Sequence, residues 1–165
     1  SGQLDHASLH VLLPDFSPWR EDRAEAFLDT GILSKLLTIN IRATASEMPE
    51  ERVFNAIYRP YIDGSGDVTD EGLQSFAFRA DSPYGKKQIF RGLKTGSAAE
   101  RQRPPLFICD IVKHENPTCE SRFNLGTSAQ VSYNFKRVHL AQWESIDRNM
   151  REIIRNFRAA ARRQN

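Results

Sequence analysis

Residues 140–161 read LAQWESIDRNMREIIRNFRAAA, and their periodicity decides the fold class. Trp143, Ile146, Met150, Ile153, Phe157 and Ala160 recur at alternating intervals of three and four, so all six fall on one stripe of a helix. Such a stripe needs an apolar surface to cover, and the segments upstream supply strands for one. Arg122–Leu125 and Val131–Phe135 flank a short Gly-containing loop and predict a β-hairpin. Leu106–Val112 is a strongly β-prone run. Leu36–Ala43 places Leu37, Ile39 and Ile41 on one face with polar residues between them, the period of a half-buried strand. Leu9–Leu13 is a short apolar run that stops at Pro14.

Two further helices are expected. Ser17 is placed to cap a helix over residues 18–29, with Pro18 in its first turn and Gly31 beyond its end. A second follows Ser46, where Glu47, Glu50 and Glu51 suit a helix start and Val53, Phe54, Ile57 and Tyr58 make an apolar face before Pro60. Asp63–Asp70 is dense in turn formers and reads as a surface loop. Leu73–Ala80 carries both signals: Phe76, Phe78 and Ala80 alternate as in a strand, whereas Thr69 and the acids after it resemble a helix cap. The helix is taken. The order of elements predicts an α+β fold, a mainly antiparallel sheet with helices packed on one side and a long C-terminal amphipathic helix. The expectation is one globular domain over residues 1–165, ordered from 3 to 161, with Gly92–Pro105 as a mobile loop because it has little to bury.

Composition narrows the function classes. The 165 residues are 39% hydrophobic and 27% charged, enough for a core and too apolar for a disordered chain. No run approaches the roughly 18 to 20 apolar residues of a membrane-spanning helix. The 23 basic and 21 acidic side chains nearly cancel, so no global field steers the protein to nucleic acid or an anionic surface. The chain starts Ser1-Gly2 without an initiator Met and is read as a processed or trimmed product.

Candidate sites divide by chemistry. Cys109 and Cys119 bracket a Pro-containing turn, and an even count at short spacing suits one disulfide in an oxidising compartment. Two buried thiols is the alternative. A zinc site from Cys109, His114 and Cys119 lacks a fourth ligand nearby, so no metal is assigned. The alternating oxygens of Asp63, Ser65, Asp67, Thr69 and Glu71 fail the calcium-loop test, since Val68 and Gln74 stand where Gly and Glu are needed. Neither Ser128 nor Ser97 sits in a nucleophile elbow, His6 and His10 make no helical metal pair, and no Gly-rich phosphate loop occurs. No catalytic residue and no cofactor is assigned.

The surface signal lies on the last helix. Arg148, Arg151, Arg155, Arg158 and Arg162 repeat at three and four and lie opposite the apolar stripe. Asp147 can pair with Arg151 at i+4, whereas Arg155, Arg158, Arg162 and Arg163 have no acid four residues upstream and form a bare cationic face. The leading reading is a small non-enzymatic interaction domain, a bacterial extracytoplasmic subunit or inhibitor, periplasmic or secreted, that binds a protein partner through this helix and adjacent loops. Arg155, Arg158, Arg162 and Arg163 are its binding residues. The competing class is a small hydrolase-like enzyme whose carboxylates and histidines come from separate loops. Binding of nucleic acid or another anionic surface through the Arg stripe ranks last, because Trp143 and Phe157 are placed on the buried side.

Overall fold

Strand alternation, more than helix content, organises the chain. A computed structural model describes residues 6–44, 48–93, 104–126 and 129–162. They form one sheet of nine antiparallel strands: β1 (His6–Leu12), β2 (Ser17–Pro18), β3 (Leu36–Ala43), β4 (Asp67–Val68), β5 (Leu73–Ala77), β6 (Lys87–Gly92), β7 (Leu106–Asp110), β8 (Thr118–Leu125) and β9 (Ala129–Lys136). Their order across the sheet is β2-β1-β3-β9-β8-β7-β6-β5-β4. Among the described residues three α-helices complete the α+β fold: α1 (Ala24–Leu28), α2 (Glu50–Val53) and the long C-terminal α3 (Trp143–Arg162).

Register assigns each side chain to a face. Leu37, Ile39, Val131, Tyr133, Phe135, Phe123, Phe107 and Phe90 lie on one face and pack against Trp143, Ile146, Met150 and Ile154 of α3. The alternate residues Phe76, Ile89 and Leu106 face the other way and pack with Phe54 and Ile62. Phe54 lies in the π-helical turn Phe54–Tyr58 that continues α2. The second face is therefore covered over β5–β7. Over β1, β3, β9 and β8 it carries polar side chains such as Asn40, Ser132, Asn134 and Arg122.

Three local expectations need correction. The helix at 18–29 is shorter, a 3-10 turn at Glu21–Arg23 followed by α1. Ser17 and Pro18 pair with Leu12 and Val11 instead, and the Ser17 hydroxyl donates to Asp15 and does not cap. Leu73–Ala77 is strand β5, because Leu73–Ala77 pairs along β6, a strand that the local pattern leaves unassigned. The apolar stripe of α3 also ends early: Ile154 is buried, Ile153 only partly, and Phe157 is 52% exposed. Within the expected mobile loop, residues 94–103 lie outside the described residues.

Cys109 and Cys119 are directly opposed on β7 and β8, fully buried, with their sulfurs 1.99 Å apart. Thiol counting on denatured, unreduced protein is expected to find neither cysteine free. Two titratable thiols per chain would contradict the bond.

Candidate functional site

The C-terminal helix ends in an overhang. Its core contacts stop at Ile154, and residues 155–160 are all exposed. This stretch carries Arg155, Phe157 and Arg158, and neither arginine has an ion pair among the described residues. Arg158 extends over the β8–β9 turn, where its guanidinium lies 3.7 Å from the position a Cβ would take at Gly126. Gly126 itself has φ +66°, a left-handed conformation that favours glycine in this turn. The side chain of Arg162, and Arg163 altogether, lie outside the described residues.

Arg151 does not belong to the free stripe. It sits beside Asp147 and Ile154 on the flank of α3 that meets the sheet, with its guanidinium 4.6 Å above the Phe123 ring. Its Nε donates to Asp147 at 2.8 Å, and Glu50 of α2 lies 3.8 Å from its Nη2. Tyr133 donates its hydroxyl to the same Asp147 at 2.8 Å. Burial opposes the charge on Arg151, but Asp147, Tyr133 and Glu50 outweigh it and hold its pKa above the ordinary value. The Tyr133 hydroxyl is raised well above its ordinary range, first by burial and then by the Asp147 charge. This is a packed tie between α2, α3 and the sheet.

A cleft opens where the covered half of the second face meets its polar half. Its volume is about 260 Å³. Val53, Ile57 and Tyr58 form one wall, Leu106 and Ile108 the floor, and Glu120, Arg122 and Gln130 the side toward the open sheet. Arg122 Nε donates to Glu120 at 2.5 Å, which raises the pKa of Arg122. Burial raises the pKa of Tyr58, against the opposing charge of Arg122. Sequence reading had placed Ile57 and Tyr58 on an apolar helix face without assigning them a ligand. The strand side of the cleft carried no local signal, because it depends on pairing between distant segments.

The remaining candidates stay apart. His139 Nε2 lies 3.0 Å from the Ser34 carbonyl, and His114 Nδ1 accepts the Asn116 amide at 3.2 Å. Neither bonds a carboxylate among the described residues. No group of three His, Cys, Asp or Glu there could hold a metal ion. Asp63 and Asp67 lie around short β4, with Gly66 pressed against Phe76. Asp110, like Asp147, is a well-held carboxylate. Burial would raise its pKa, but Lys87 and the Thr118 amide and hydroxyl outweigh burial and keep it below the usual value. These bonds fasten β6 and β7 to the start of β8.

No family model matches the chain, and no curated protein matches it. Among solved structures it is similar to Smlt3025, an immunity protein of the Stenotrophomonas maltophilia type IV secretion system. The TM-score is 0.58 at 17% sequence identity, over 91% of this chain and 80% of that one. That likeness is one of fold. No helix among the described residues is long and apolar enough to cross a membrane.

Proposed function

We propose that the protein is a binding inhibitor of the immunity kind, which recognises a protein partner through the end of α3 and the neighbouring β8–β9 turn. The observation that carries this reading is the overhang, in which an exposed aromatic ring stands between two arginines that lack ion pairs among the described residues. Aromatic and arginine side chains are the residue types that most often dominate binding energy at protein interfaces. A phenylalanine left half exposed on a helix whose preceding turns are buried gains most by burial against a second protein. The fold likeness to an immunity protein supports the same class of function. Arg162 and Arg163 extend the cationic surface in sequence, so the preferred partner carries acidic groups. A periplasmic or secreted location goes with this reading, because a Cys109–Cys119 disulfide persists in oxidising compartments.

The test is charge reversal at Arg155, Arg158 and Arg162 together. Exposed charges contribute little to folding, so stability is expected to stay within about 1 kcal/mol of wild type. The partner captured by wild type from an extract of the source organism, once identified by mass spectrometry and purified, is expected to bind the variant at least about tenfold more weakly, with a flatter salt dependence. Wild-type affinity in the triple variant, or its unfolding, overturns the assignment of these residues.

A further inference from the structure

We propose that the cleft beside Tyr58 is a second recognition site, a receptor for one large apolar side chain on an acidic loop of a protein partner. This rests on the binding reading above and adds a site on the other face of the sheet from α3. Size sets the class of occupant. At about 260 Å³ the cleft lies at the lower edge of the roughly 300 to 1,000 Å³ of pockets that enclose a drug-sized molecule, and a single large side chain fits within it.

Its lining sets the chemistry. Val53, Ile57, Leu106 and Ile108 present an apolar floor and wall, and Ile57 is 38% exposed. At the rim, the Tyr58 hydroxyl, the terminal nitrogens of Arg122 and the Gln130 carboxamide make no hydrogen bond to the described residues. An apolar pocket edged by a few uncommitted polar groups is the usual form of a site that fixes both the position and the orientation of its ligand. The rim groups match the carbonyls and carboxylate of a peptide that brings the apolar side chain in.

Charge decides the flanking residue. Glu120 is paired with Arg122, and Glu50 lies against Arg151. Arg42, the register partner of Gln130, has no ion pair among the described residues. The cleft therefore adjoins an arginine that no carboxylate among the described residues pairs, and an aspartate or glutamate next to the inserted side chain complements it.

The experiment uses the full chain, labelled with nitrogen-15 and titrated with three N-acetylated, C-amidated dipeptides: Phe-Asp, Ala-Asp and Phe-Lys. Phe-Asp is expected to shift the amides of Ile57, Tyr58, Ile108 and Arg122 saturably. Loss of the benzyl group in Ala-Asp should weaken binding at least about tenfold, as expected for one aromatic side chain left unburied. The exposed-charge contribution makes Phe-Lys weaker by about two- to fivefold. Ile57→Glu, at a half-exposed position that folding tolerates, should abolish the response. Lys35→Glu, at an exposed position outside both proposed sites, should leave it unchanged.

Equal responses to the three peptides, or shifts centred away from the cleft, overturn the proposal. So do shifts of the same amides on raising protein concentration alone, which would make a second copy of this chain the occupant. Failure here with partner binding still sensitive to the arginines of α3 removes the cleft and keeps the inhibitor reading. A normal titration with insensitive arginines does the reverse.

Discussion

Phe107→Ala is expected to lower the unfolding free energy by about 3 to 5 kcal/mol, the largest effect of any single truncation argued here. Phe107 is fully buried at the centre of the sheet, and its ring meets those of Phe135 and Trp143 at 6.1 Å and Tyr133 at 6.5 Å. Truncation removes the transfer energy of the ring and leaves a cavity that its three rigid aromatic neighbours cannot close. Phe157→Ala is the contrast. With half of its surface already in water it should cost less than about 1 kcal/mol and should weaken partner binding instead. Urea unfolding midpoints of the two variants decide it. A large loss of stability in Phe157→Ala would mean that the end of α3 packs as part of the core, and the overhang would lose its meaning.

Arg151→Ala is expected to cost about 3 kcal/mol, at the lower end for breaking a buried ion pair because 27% of the side chain remains exposed. The loss comes from what is left behind. Asp147 would keep only the Tyr133 hydroxyl, Glu50 would lose its nearest cation, and Phe123 would lose the guanidinium above its ring. Arg155→Ala, one turn further along the same stripe, should change stability by no more than about 0.5 kcal/mol. Thermal or urea unfolding of the pair checks this. Equal effects would show that Arg151 is as solvated as its neighbours, and a double-mutant cycle with Asp147→Ala measures the pair directly.

These contrasts show where local pattern suffices. β3 and the β8–β9 hairpin were legible because apolar alternation in Leu37, Ile39, Val131 and Tyr133 reflects burial on one face, whatever covers it. α3 was legible for the same reason. Its partition was not, since periodicity gives the direction of a stripe but not the point at which the sheet beneath it ends. Phe157 continues the pattern past Ile154, where the core contacts stop, and Ile154 takes the place expected of Ile153. The i+4 spacing gave the pairing of Arg151 with Asp147 but not its burial, because the Phe123 ring and Glu50 beside it come from other elements. β5 was misread because a cap-like Thr69 lies before it, and the pairing with β6 that overrides this signal involves residues beyond any helical window. The cleft lay further out of reach, because its walls come from α2 with the turn that continues it and from three strands far away in sequence.

The position of Arg151 has a thermodynamic consequence. Glu50 belongs to the lining of the cleft and lies 3.8 Å from Arg151, which precedes Arg155 by one helical turn, so this pair stands between the two proposed recognition sites. Linkage is symmetric: if filling the cleft draws Glu50 away from Arg151 and alters affinity at the helix end by some factor, engagement of the helix end alters affinity in the cleft by that same factor. A partner that touches both sites would then bind with an affinity that differs from the product of its two separate contacts, and Arg151 is the residue at which the difference is set.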